Sequence, residues 1–330
     1  MIPEEAQLVG NIFNVDELEQ KSTRDGYGKG VTEAGEKDDR VVVLCADLAE
    51  STRSLWFQEK FPERYIELGV AEQNLATVAA GLANYGKIPF ITSYAAFSPG
   101  RNWEQIRTTV CLNNVPVKVM GMHAGISVGP DGATHQPLED MGLMRMIPRM
   151  TVIAPCDAVE AQKAVLASAF TGKPVYIRFG RTNTPIFTTQ GTPFEIGKAY
   201  TVWDSDAPEV AIIATGNLVH NAILAARELE NEGIQTVVVN NHTIKPMDEH
   251  VILREAQRAG AVVTVEEHQV SGGMGSAVAE VLVQNSPVPM QMIGVHDQFG
   301  QSGEPNQLIE EYGMGVGSIK HAVHQVRDRK

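Results

Sequence analysis

Two consecutive α/β domains are what this sequence predicts, and three observations predict them. Short apolar runs rich in Val, Ile and Leu alternate with stretches of three- and four-residue periodicity, the pattern of parallel strands covered on both faces by helices. The rhythm breaks between Thr182 and about Pro208, where Pro185, Gly191, Pro193 and Pro208 cluster, and then resumes. Polar loops punctuated by glycine follow several strands, the place where open α/β folds hold ligands. The break divides the chain into a domain of residues 1–190 and a second of residues 191–330.

Residues 1 to about 40 are polar and partly helical, with Gly26, Gly28, Gly30 and Gly35 weakening the helical signal. Strands are then predicted at Val41–Ala46, Tyr65–Val70, Ile88–Ser93, Val115–Gly121, Thr151–Ala154 and Val175–Phe179. Helices are predicted at Glu72–Tyr85, Arg101–Asn113 and Ala158–Phe170. The second domain reads as strand Val210–Ala214, helix Leu218–Asn231, strand Thr236–Asn240, helix Glu249–Ala259 and strand Ala261–Glu266. A glycine turn, a helix from Ser276, strand Met290–Val295 and a helix from about Ser318 complete it.

Composition sets bounds on partners. The 330 residues carry a formal net charge of −13, which argues against a nucleic-acid partner but leaves room for a local arginine cluster around a small anion. No apolar run reaches the length of a membrane span, and the first residues lack the pattern of a signal peptide. Cys45, Cys111 and Cys156 stand alone, as buried thiols of a reducing cytoplasm do.

Several constellations can carry chemistry. Glu72 stands where a strand hands over to a helix whose Ala76, Ala79, Ala80, Gly81 and Ala83 make it small-sided and suited to close packing. By itself such an acid reads as a first-turn carboxylate favoured by the helix dipole. The loop from His123 to Asp140, HAGISVGPDGATHQPLED, brings His123, Asp131 and His135 together on a backbone shaped by Gly125, Gly129 and Gly132. Its alternatives are a polar loop with titrating histidines or, with no helical HxxxH frame, a metal site. Tyr94 and Phe97, three apart after a strand, can face one pocket or simply fill the core. Arg24, Ser51 and Arg181 lie near element ends, and with a histidine they suit a phosphate. The turn SGGMGS (Ser271–Ser276) lacks the lysine and the spacing of a phosphate loop and reads as structural. His321 and His324 read as a solvated helix face.

GVAEQN, SYAAF and HAGISVGPDGATHQPLED, in this order, closely resemble the C-terminal half of transketolases, and FGQSGEPNQLIEEYGMG extends the likeness to the end of the chain. The resemblance implies a pyrimidine-binding domain, a transketolase C-terminal domain and thiamine-diphosphate chemistry. Glu72 would hydrogen-bond the aminopyrimidine ring and favour the tautomer that deprotonates the thiazolium. Phe97 and Tyr94 would pack on that ring and Asp47 would lie near the thiazolium. Asp131 and His135 would bind ketose hydroxyls, while His123, Arg24, Ser51 and Arg181 would hold the sugar phosphate. The Gly-Asp-Gly motif with which the family binds Mg2+ and diphosphate is missing, and no Gly-Asp pair occurs anywhere. The resemblance therefore implies a split enzyme: a diphosphate-binding partner chain holds the metal, around a dimeric core in a heterotetramer. Competing readings are a 1-deoxy-xylulose-5-phosphate synthase or a 2-oxo-acid dehydrogenase β chain, or a non-catalytic assembly protein. The first usually lacks a histidine at the place of His123, and the second lacks the GPDGATHQ loop.

Overall fold

The computed structural model describes residues 1–330. Its strands are β1 (Gln20–Lys21), β2 (Val41–Cys45), β3 (Tyr65–Glu67), β4 (Ile88–Tyr94), β5 (Lys118–Met122), β6 (Thr151–Ile153), β7 (Val175–Arg178) and β8 (Thr184–Pro185). The second half adds β9 (Tyr200–Trp203), β10 (Val210–Ala214), β11 (Thr236–Asn240), β12 (Thr243–Lys245), β13 (Val262–Gln269) and β14 (Met290–Val295). One sheet has the order β12-β6-β7-β5-β4-β2-β3 and the other the order β14-β13-β10-β11-β9. Each is parallel apart from one antiparallel edge strand, β12 in the first and β9 in the second. Two α/β layers are thus present, as the alternation of strands and helices predicts.

The interior strands form because most of their residues are apolar on both faces, and every residue of β2, β5, β7, β10 and β11 is buried. Leu218–Asn231, Glu249–Ala259 and Met274–Asn285 cover the second sheet, with apolar stripes facing inward. A cluster of 34 buried residues runs from Val42 and Val119 through Met144 to Ile213 and Val278, so the two sheets share packed contact rather than only a linker. No helix is long and apolar enough to cross a membrane.

Three expectations need correction, and one strand was not anticipated. The glycines near the start do not break a helix: Thr23–Lys37 is helical throughout. They are packing residues, since a Cβ on Gly26 would stand 2.2 Å from Ala158 O and one on Gly30 2.8 Å from Gln162 O, both on the Ala158–Ala169 helix. Close helix approach offsets the roughly 1 kcal/mol that each interior glycine costs. The Arg101–Asn113 helix begins later, at Trp103, and widens into a π-helix over Ile106–Cys111. Arg101 and Asn102 are held outside it by Glu72. The 182–208 segment is no free linker: β8 pairs with β1, β9 joins the second sheet, and Asp157 accepts hydrogen bonds from the backbone of Phe187 and Thr188. Finally, β12 went unforeseen. It leaves the second domain and pairs with β6 of the first.

The SGGMGS turn is structural, as read. The Met274–Asn285 helix starts there, and Glu266 accepts from the N–H groups of Met274 (2.6 Å) and Gly275 (2.7 Å). The place where a phosphate loop would hold its anion is filled by the chain's own carboxylate.

Candidate active site

In the first sheet the chain leaves β2 toward β3 on one side and leaves β4 toward β5 on the other, so a crevice opens at the carboxyl ends of β2 and β4. Nine of the ten residues singled out lie just beyond the ends of five neighbouring parallel strands. Arg181 follows β7, and His123, Asp131 and His135 follow β5. Tyr94 ends β4 and Phe97 follows it, Asp47 and Ser51 follow β2, and Glu72 follows β3. Arg24 comes from the first turn of the Thr23–Lys37 helix.

Most of these residues meet through direct contacts. The ring of His123 stacks on Tyr94 at 4.1 Å between centroids, and Tyr94 stacks on Phe97 at 6.1 Å. His135 sets its edge against Phe97 at 5.4 Å. Arg24 Nη1 donates to Ser51 O at 2.8 Å and contacts His123 Nε2 at 3.2 Å. Arg181 Nη1 donates to Val128 O, and Nη2 lies 3.9 Å from Asp131.

His123 adopts φ +52°, uncommon for a residue with a side chain, and is buried. Burial first, then the charges of Arg24 and Arg181, hold its pKa down to about 3. The imidazole is therefore neutral. Because an arginine can only donate, Nε2 accepts and the proton sits on Nδ1. That Nδ1 is buried and makes no hydrogen bond within the chain, so an unsatisfied donor lies beside the crevice. Burial, Arg53 and Arg181 together lower the pKa of Arg24. Thus a chain of net charge −13 concentrates positive charge in this crevice, as capture of a small anion requires.

Glu72 heads the Glu72–Asn84 helix and is 2% exposed. Oε2 accepts from Arg101 Nη1 at 3.2 Å, whereas Oε1 makes no hydrogen bond within the chain. Arg101 lies over the Phe97 ring at 5.0 Å, which joins Glu72 to the aromatic patch. A buried carboxylate with one oxygen free, beside an aromatic wall, can share a proton with a heterocyclic nitrogen. Asp47 stands apart. It is exposed at φ +59°, its N–H donates to Glu67 at 2.8 Å, and its carboxylate makes no hydrogen bond.

Sequence reasoning missed Arg101, Glu67, Gln136 and Glu267. Arg101 carries a signal, four residues beyond Phe97. Glu67, which also accepts from Tyr65 OH and Gly69 N, reads in sequence only as a strand acid. No group of three or more His, Cys, Asp or Glu side chains is arranged to hold a metal. His324 pairs with Glu232 and His321 with Gln325 on an exposed face. The three cysteines are free and buried.

Residues 19–186 match the family described as transketolase, pyrimidine binding domain, and residues 198–319 match transketolase, C-terminal domain. The chain belongs to the transketolase family. It is 42% identical over 313 residues to the 6-deoxy-6-sulfo-D-fructose transketolase subunit of Clostridium sp. (strain MSTE9), covering 95% of this chain and 97% of that one. Rat transketolase is 35% identical over 92% of this chain, which spans 48% of the rat protein. A solved split-gene transketolase, described as an inactive β4 tetramer, superposes with a TM-score of 0.87 at 42% identity, covering 93% of this chain and 98% of that one. This transketolase-family chain thus corresponds to the C-terminal half of single-chain members. The family's cofactor is thiamine diphosphate.

Proposed function

We propose that this chain is the smaller subunit of a split transketolase, transferring a two-carbon ketol unit from a ketose phosphate to an aldose phosphate. The observation that carries the reading is the unbroken row at the strand ends, from the anion-binding arginines through the aromatic pair to the half-satisfied Glu72. Two features suit the cofactor and substrate: Glu72 Oε1, which makes no hydrogen bond within the chain, and the buried donor His123 Nδ1 that lacks a partner.

When bound, thiamine diphosphate supplies the nucleophilic carbon and the electron sink. Glu72 would hydrogen-bond the aminopyrimidine ring, while Phe97 and Tyr94 would pack on its face. Arg24, Arg181, Ser51 and neutral His123 bind the terminal anion of the sugar. Asp131 and His135 would orient its hydroxyls, and Asp47 would lie on the thiazolium side. These groups are fixed by their strand ends before substrate arrives, so little reorganisation is needed when charge develops.

Mg2+ and the diphosphate belong, in this reading, to a partner chain. Support comes from near full-length matches to a transketolase subunit and a split-gene transketolase. We place the pair in a cytoplasmic heterotetramer serving pentose phosphate metabolism. The Clostridium relative is named for a sulfosugar, and two arginines suit a sulfonate as well as a phosphate, so both donor types belong in the assay.

The test mixes the purified chain with a diphosphate-binding transketolase subunit, thiamine diphosphate and Mg2+, and follows ketol transfer. Activity that needs both chains and disappears in Glu72→Ala is the expected result. Transfer by this chain alone, or undiminished transfer in Glu72→Ala, overturns the assignment, and preferential decarboxylation of pyruvate moves it to another thiamine enzyme.

A further inference from the structure

The loop from His123 to His135 carries three of the ligand-binding candidates, yet much of its backbone is satisfied by side chains from elsewhere. Thr182 Oγ1 donates to Ser127 O at 2.6 Å and Arg181 Nη1 to Val128 O at 3.0 Å. Gln136 Nε2 is shared among Ile126 O (2.9 Å), Gly129 O (3.3 Å) and, from the second domain, Gln301 O (2.9 Å). One loop N–H is taken by a side chain. Ser127 N donates to Glu267 Oε1 at 2.6 Å, across 140 residues of sequence.

Glu267 lies on β13 of the second domain and is 2% exposed. Its carboxylate also fills the space beside Gly125, where a Cβ would meet Oε1 at 2.3 Å. Gly125 is at φ +93°, two residues after His123, so the turn that aims the histidine is pressed against this acid. The acid is itself anchored: Arg178 Nη2 donates to Glu267 O at 2.7 Å, and Arg178 pairs with buried Asp140. Arg178 ends β7, the strand that delivers Arg181. One side chain from the second domain therefore sets the loop that carries His123, and its anchor sits on the strand that places Arg181.

We propose that Glu267 is a positioning residue for sugar-phosphate binding, acting through Ser127 N and Gly125 on the orientation of His123. The inference rests on the reading of the 123–135 loop as the substrate loop. In Glu267→Ala, Ser127 N loses its buried acceptor and the turn its wall. The expected result with the reconstituted enzyme is a KM for the ketose phosphate raised about tenfold or more, with kcat at saturating donor and affinity for thiamine diphosphate little changed. Glu267→Gln keeps an oxygen for Ser127 N and restores most of the loss. Should Glu267→Ala fail to fold, Gly125→Ala, whose Cβ collides with the same oxygen, gives the same KM pattern.

Amide exchange on the chain alone supplies a readout independent of activity. Peptides covering 123–135 exchange about tenfold faster or more in Glu267→Ala, while those covering Glu72–Asn84 do not change. Unaltered loop exchange, or equal loss in the Gln and Ala variants, overturns the proposal. If the wild-type pair shows no ketol transfer, the functional reading fails, and exchange still decides whether Glu267 holds the loop.

Discussion

The two domains are built alike, parallel sheets whose strands end in polar loops, yet the end of β13 in the second is used in the opposite way from the crevice of the first. Beyond β2, β3 and β5 the loops leave hydrogen-bonding capacity open: Glu72 Oε1, His123 Nδ1 and the Asp47 carboxylate have no partner in the chain. At the end of β13, Glu266 is consumed by the Met274–Asn285 helix, Glu267 by Ser127, and His268 accepts from Gly142 N. The strand ends of the first crevice leave polar groups without internal partners and so open to a ligand. When the chain supplies those partners, the same architecture becomes a support.

Substitutions can break that contrast. The largest effect is expected at Glu72: Glu72→Gln in the reconstituted enzyme lowers kcat by about 10²–10⁴-fold, the usual contribution of a positioned proton-transfer group, with the melting temperature nearly unchanged. Arg24→Ala follows, raising KM for a ketose phosphate by roughly 10–100-fold, the worth of a charge-assisted hydrogen bond. A smaller change is expected on the support side. Gly273→Ala drives a Cβ to 2.2 Å from Glu266 Oε2 and destabilises the fold by about 1–3 kcal/mol, measurable by denaturant melting, while KM stays put. A Gly273→Ala protein with normal stability and raised KM would show that the contrast is wrongly drawn.

Acidity adds to the comparison, because burial favours the neutral form on each side, lowering a histidine on one and raising a carboxyl on the other. His123 is held down to about 3 from 6.5, so in acid the unfolded chain takes up a proton that the folded chain refuses. Stability is lost as pH falls from 6.5 toward 3. Burial pushes Glu266 up to about 7 from 4.5. Its contribution is complete below 4.5 and is lost as pH rises through 7. Thermal melting against pH should show His123→Asn flattening the acid-side decline and Glu266→Gln flattening the rise-side decline, each by about one proton's worth of slope.

Where structure is set locally, the sequence was readable. Leu218–Asn231, Thr236–Asn240, Glu249–Ala259 and Met290–Val295 occur with the predicted bounds because amphipathic or β-branched runs decide them. The glycine-bearing Thr23–Lys37 helix was misread because Gly26 and Gly30 serve a partner helix more than a hundred residues away. Arg101 looks like a surface residue until Glu72 is seen beside it. His123, Asp131 and His135 were legible through one short motif, whereas Glu267, held by Ser127 across 140 positions, leaves no local mark.

β12 has a consequence for anyone who would divide this chain. Two residues after β11 leaves the second sheet, Thr243–Lys245 completes the border of the first. A fragment ending near residue 190 would expose the unpaired border of β6, a template onto which strands of other molecules can add. Such a fragment made alone should precipitate. Produced together with the remainder, it would regain its missing border strand and stay in solution, so the two pieces call for co-expression rather than separate purification.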